Sequence, residues 1–124
     1  MKLNYRTAIN SYKLAENDYV RGIETPHGRI QLVFDTILDS LDDLQQVHPK
    51  TNFGAFGKCI NGLKILGSSL DIENGGDLAA QLVELYDYCL RRIRSYLDSK
   101  DPSTLSEVHT IIEQLSESWQ EIKP

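Results

Sequence analysis

The sequence predicts an all-α chain, folded as an antiparallel up-down four-helix bundle with a short N-terminal helical or irregular segment. Three observations predict it. Four long segments carry apolar residues at alternating three- and four-residue steps, the spacing of one helix face. The separators between them are short and built from proline, glycine and small polar residues. No stretch shows the apolar–polar alternation of a half-buried strand or the turn signal of a hairpin. A chain of 124 residues has the size of one domain and can bury a core without disulfides or metal. In this reading residues 1–24 are an appendage and 25–124 form the bundle.

The first segment, roughly residues 4 to 16, is short and weakly amphipathic. Ile9 and Tyr12 are three apart and share a face. A helix this short is marginal alone and persists only if docked. DYVRGIE follows as an irregular connector. The first long helix opens with Thr25 as N-cap and Pro26 in the first helical position, and Pro49 stops it. Its stripe is Ile30, Val33, Phe34, Ile37, Leu38, Leu41 and Leu44. Asp35, Asp39, Asp42 and Asp43 form a solvated acidic face, because carboxylates on one regular helix do not converge as a calcium loop does. Leu32 stands alone among the polar positions.

The second long helix spans about Asn52 to Leu70, with Phe53, Phe56, Cys59, Ile60, Leu63, Leu66 and Leu70 on its apolar face. Gly54, Gly57, Gly62 and Gly67 interrupt it, each interior glycine costing about 0.5–1 kcal/mol relative to alanine. Gly67 falls on the apolar face, where it is expected to admit a neighbouring backbone. Ile65 projects away from the stripe. DIENGGD then breaks the chain with paired glycines.

The third helix is expected from about Asp77 to Ser99. Its apolar arc is nearly twice the roughly 100° that one core requires. Leu78, Leu82, Leu85, Cys89, Ile93 and Tyr96 form one seam; Ala79, Val83, Tyr86, Leu90 and Leu97 form a second, roughly 90° around the helix. Arg91, Arg92 and Arg94 fall in the later turns, where cations complement the helix dipole. Asp101 caps the fourth helix and Pro102 fills its first position. Leu105, Val108, Ile112, Leu115, Trp119 and Ile122 give that helix a bundle-type seam.

The net charge of -5 disfavours nucleic acid as a partner. Cys59 and Cys89 have neither zinc nor redox-motif spacing and fall on apolar faces, as reduced buried thiols do. The opening MKLNYRTAINSYKLAEN lacks the apolar core of a secretory signal, and no run approaches the roughly 20 apolar residues of a membrane span. The expectation is a soluble, cytoplasmic protein with no membrane insertion. A di-iron bundle requires paired Glu-x-x-His motifs, and none occurs. A histidine phosphotransfer bundle requires an exposed mid-helix histidine. His48 adjoins Pro49, and His109 lacks a closely following lysine. The arginines of LRRIR are assigned to ion pairing and dipole compensation rather than phosphate binding. No catalytic residue, cofactor or metal is assigned. A binding protein is then the first reading, a histidine phosphotransfer bundle using His48 or His109 the runner-up, and a purely structural bundle subunit the third, because a bundle helix can bury both seams against its neighbours.

TPHGRIQLVFDTIL, SLDIENGGDLAAQLVELYDYCLRRI and LSESWQEI resemble the FliS family of flagellar secretion chaperones in order and spacing. Glu24 and Gly28 depart from the family pattern at the start of the first long helix. The resemblance implies a cytoplasmic, non-catalytic four-helix chaperone. Its partner would be the C-terminal segment of flagellin, disordered when free and helical when bound in apolar grooves. Binding would block premature filament assembly and keep the client ready for the flagellar type III export apparatus. It also implies an N-terminal segment that covers part of the client surface, here through Ile9 and Tyr12. For the client surface the residues are Ala79, Val83, Tyr86 and Leu90 of the second seam, with Leu32 and Ile65 from outside their own helices' stripes.

Overall fold

A computed structural model describes residues 11–12, 26–46 and 53–121. It contains four helices: α1 (Pro26–Gln45), α2 (Phe53–Ser68), α3 (Ile72–Ser99) and α4 (Pro102–Glu121). Each helix packs on two neighbours, α1 on α2 and α4, and α3 on α2 and α4, which closes a four-cornered antiparallel bundle. The core takes Phe34, Ile37 and Leu41 from α1, Cys59, Leu63 and Leu66 from α2, Leu82, Cys89 and Ile93 from α3, and Leu105, Val108, Ile112 and Trp119 from α4. These follow the three- and four-residue steps of the sequence. Fully burying one such aliphatic or aromatic side chain is worth about 1.5–3 kcal/mol.

The start of α4 follows the local chemistry. Asp101 Oδ1 accepts from the Ser103 amide at 3.0 Å and the Ser103 hydroxyl at 2.9 Å. These bonds hold the Asp101 carboxyl below its usual range. Thr25, Pro49 and the connector DYVRGIE lie outside the described residues.

At the start of α3 the helix begins at Ile72 rather than Asp77. Asp71 caps it, accepting from the Asn74 amide at 3.2 Å and from Asn74 Nδ2 at 2.8 Å. One turn therefore forms before the glycines act. The break is at Gly76, whose φ of 55° and ψ of -137° leave the helical region. The positive φ favours glycine over any side chain there. At the other end Lys100, at φ 55°, donates its amide to the Tyr96 carbonyl at 2.9 Å and turns the chain into α4.

Two positions on α2 differ from expectation. A Cβ built on Gly67 meets nothing within 4 Å, so no backbone approaches it. The close approach is at Gly62, where a Cβ would lie 2.5 Å from Ile37 Cγ1. Helical phase assigns residues to a face but cannot say at which level two helices come nearest. Phe53, placed on the apolar face by its spacing, is 80% exposed because it starts the helix at the edge of the bundle.

The first turn of α1 is tied to the end of α4. Trp119 Nε1 donates to the His27 carbonyl at 2.9 Å, and His27 Nε2 donates to the Trp119 carbonyl at 2.7 Å. The two rings stack with centroids 4.9 Å apart and planes within 6°.

Candidate partner-binding surface

The wide apolar arc of α3 resolves into three strips. The centre is Gly75, Ala79, Leu82, Tyr86, Cys89 and Ile93, all buried. It draws on both seams read from the sequence, because the inward direction lies between them. One flank faces α4: Tyr88 donates its hydroxyl to Glu107 Oε1 at 2.8 Å, and Arg92 Nε donates to the same oxygen at 2.9 Å. Both bonds hold the Glu107 carboxyl below its usual range. Val83, Leu90 and Leu97 lie at seven-residue intervals on the opposite flank, roughly 180° from the Tyr88–Arg92 edge, and so face α2. Val83 is 39% exposed, Leu97 is also exposed and Leu90 is half-buried.

On α2, Gly62 marks the flank against α1, and Gly57 and Gly67 lie well around the helix from it, on the side of α3. A Cβ on either would project into open space. The α3 flank on this side therefore carries an exposed apolar strip, and no side chain of α3 comes within 4 Å of a Cβ built on either glycine. Of the six residues assigned to a client surface, Val83 and Leu90 lie on this strip. Ala79 and Tyr86 lie in the core. Ile65, 48% exposed, and Leu32, 39% exposed, each stand about 200° from a buried residue of their own helix, Leu63 and Phe34. They point outward, on different helices, and Leu32 is not brought together with the α3 residues.

A second feature adjoins the same helix. Ser11 and Tyr12 are buried. The Ser11 carbonyl accepts from the amide of Asp71 at 2.7 Å, and Tyr12 makes an antiparallel bridge with Leu70. The dipeptide is thus pinned to the α2–α3 connector at the residue that caps α3. The Tyr12 ring enters a crevice walled by Phe34 of α1, Leu78, Leu82 and Tyr86 of α3, and Leu115 and Trp119 of α4. It meets the Trp119 ring edge-on, with centroids 5.4 Å apart. Its hydroxyl bonds the Tyr86 hydroxyl at 2.5 Å. The space left over is about 10 Å³, at the lower limit for one water. Burial pushes both phenols up from their ordinary range, so both are neutral at physiological pH. Ile9 lies outside the described residues.

Several other titratable groups are in structural pairs. Arg91 pairs with Asp87 one turn away, and Arg92 also reaches Thr104 Oγ1 at 3.4 Å. His109 Nε2 lies 3.1 Å from Asp42, and its Nδ1 lies 3.9 Å from Glu113. Two carboxylates beside the ring oppose an incoming phosphate. His48 is outside the described residues. Both cysteines are free and buried, and burial pushes their thiols up to about 12. Such thiols are poor nucleophiles. No helix among the described residues is long and apolar enough to cross a membrane.

Two features of the surface escaped the sequence reading of the site. Leu97 continues the Val83–Leu90 strip, and its seven-residue step from Leu90 was the available signal. The pairing of Tyr12 with Tyr86 spans 74 residues and has no local signal.

A family model described as flagellar protein FliS matches residues 8–124. The flagellar secretion chaperone FliS of Vibrio cholerae is 28% identical over 123 residues, covering 96% of this chain and 90% of that protein. The flagellar secretion chaperone FliS of Salmonella typhimurium is 33% identical over 108 residues, covering 81% of this chain and 78% of that protein. The flagellar secretion chaperone FliSB of Pseudomonas aeruginosa is 31% identical over 101 residues, covering 78% and 80% respectively. With the bundle and its apolar flank, these matches lead to one conclusion: the chain belongs to the FliS family of flagellar secretion chaperones.

Proposed function

We propose that this protein binds the C-terminal segment of flagellin in the cytoplasm, prevents its premature polymerisation and supports its delivery to the flagellar type III export apparatus. The client segment folds into helices on binding, with apolar anchors at three- and four-residue spacing. Val83, Leu90 and Leu97 form one wall of its groove, and Ile65 and Leu32 are outlying contacts. Ser11 and Tyr12 act as a displaceable cover over Tyr86, with Ile9 as a further covering residue. Tyr86 becomes a client contact only when that cover has moved, and Ala79 backs the strip from within the core.

The observation that carries this reading is the Tyr12 crevice. A short segment, far in sequence from the helices it touches, fills a site walled by three of them. Among the described residues its anchorage includes one aromatic ring, one hydroxyl pair and one backbone bond. A client that orders on binding loses several kcal/mol of its contact energy to ordering, so it needs a larger surface than the cover does. The exposed strip beside the crevice provides that additional area.

Titration calorimetry and circular dichroism with the host's monomeric flagellin test this. Binding is expected with a gain of helix beyond the sum of the components, and its loss on removal of the flagellin C-terminal segment. Intact affinity for flagellin lacking that segment would refute the assignment.

A further inference from the structure

Tyr12 also defines what a client must offer in its place. Tyr86 is 1% exposed, and its hydroxyl bonds the Tyr12 hydroxyl at 2.5 Å. The rest of the crevice is apolar, formed by Phe34, Leu78, Leu82, Leu115 and the Trp119 ring. The indole N–H is already donated to the His27 carbonyl. When Tyr12 leaves, nothing in this lining replaces the hydrogen bond.

A buried hydroxyl left without a partner weakens a complex by roughly five- to a hundredfold. A wholly apolar client side chain entering the crevice incurs that loss. A charged one incurs a larger loss, because one neutral phenol cannot compensate its desolvation. The side chain that avoids both has an apolar body, to pack on Trp119 and the leucines, and a neutral hydrogen-bonding tip.

We propose that Tyr86 is a specificity-determining residue that selects, in the client helix, a side chain with an apolar body and a hydroxyl or carboxamide tip, hydrogen-bonded to Tyr86 where Tyr12 is bonded in the free protein. This rests on the reading that flagellin displaces the Ser11–Tyr12 cover. The crevice is therefore a checkpoint of polarity inside a groove otherwise selected by apolar area.

Two conservative variants of the full-length chain separate the effect on the client from that on the cover. Tyr12→Phe and Tyr86→Phe both delete the hydroxyl pair and so loosen the cover alike. They differ in the complex: the first keeps the Tyr86 hydroxyl for the client, and the second removes it. Titrated with the host's monomeric flagellin, Tyr12→Phe is expected to bind about tenfold more tightly than Tyr86→Phe. Equal affinities, or the reverse order, would overturn the proposal, since an apolar anchor prefers the site without a hydroxyl. An independent readout needs no variant: the Tyr86 hydroxyl proton of the wild-type complex is expected in slow exchange by NMR, and fast exchange would overturn the proposal. If the unsubstituted chain does not bind flagellin at all, the chaperone reading fails instead.

Discussion

The α1–α4 side and the α2–α3 side of the bundle are built differently. Across α1 and α4, directional bonds fix the approach: the reciprocal His27–Trp119 pair, Gln31 to the Ser116 hydroxyl at 2.9 Å, and His109 to Asp42 at 3.1 Å. Across α2 and α3, the helices meet through a buried apolar strip, while Val83, Leu97 and the open glycines Gly57 and Gly67 are left at the surface. Hydrogen bonds of good geometry fix orientation, whereas apolar contact is non-directional and tolerates a new neighbour. One side is fixed by directional bonds, and the other leaves apolar side chains exposed.

The largest effect should come from the α1–α4 side. Trp119→Ala removes a buried indole, its stack on His27 and its edge contact with Tyr12. A loss of about 3–5 kcal/mol is expected from denaturant unfolding, the range of large aromatic deletions. Tyr86→Ala falls in the same range because it too is buried, so its effect on client binding can be read only from the conservative phenylalanine variant. A Trp119→Ala protein as stable as wild type would show that the α1–α4 clasp does not hold the bundle.

Two glycines on one helix sharpen the contrast. Gly62→Ala puts a methyl against Ile37 and should cost about 1–3 kcal/mol through overpacking, less the propensity gain of alanine. Gly67→Ala meets open space and should stabilise by up to about 1 kcal/mol. Equal melting temperatures for the two variants would contradict the assigned close approach.

On the α2–α3 side, Val83→Asp should leave stability within about 0.5 kcal/mol, as exposed substitutions do. It should weaken flagellin binding at least about tenfold if the Val83–Leu90–Leu97 strip is the client wall. Calorimetry and thermal melts on the same sample read both quantities.

The smallest effect is electrostatic. The Asp101 and Glu107 carboxyls are held below their ordinary range by hydrogen bonds from Ser103, and from Tyr88 and Arg92. A depressed folded pKa stabilises above the unfolded value, and that contribution is lost as pH falls through the folded one. Stability should therefore decline below about pH 4, and Asp101→Asn should flatten part of that decline. Both groups are at the surface, so the change is small.

Much of the fold was legible because it depends on periodicity. The steps from Phe34 to Leu41 and from Leu105 to Trp119 assign their helices and faces without tertiary information. The start of α3 was misread because paired glycines signal a break, whereas the Asp71 cap bonds Asn74 and supports a turn before it. The site was legible only in part. The excess arc of α3 marked Ala79, Val83, Tyr86 and Leu90 as one seam, whereas the structure puts Val83 and Leu90 on the flank and Ala79 and Tyr86 in the core, since sequence phase cannot locate the bundle axis. Which residue covers Tyr86 depends on a contact 74 positions away, set by tertiary packing alone.

Displacement of the Ser11–Tyr12 cover by flagellin can be read by hydrogen exchange across Ser11, Tyr12 and Asp71. In the free protein the Asp71 amide donates to the Ser11 carbonyl, and Ser11 and the Tyr12 ring are buried, so the Asp71 amide and the buried Ser11–Tyr12 backbone should exchange slowly. On saturation with monomeric flagellin, exchange at Ser11 and Tyr12 should accelerate while the cores of α1 and α4 remain protected. Unchanged or slower exchange at Ser11 and Tyr12 in the complex would show the dipeptide to be a fixed part of the bundle and not a displaceable cover.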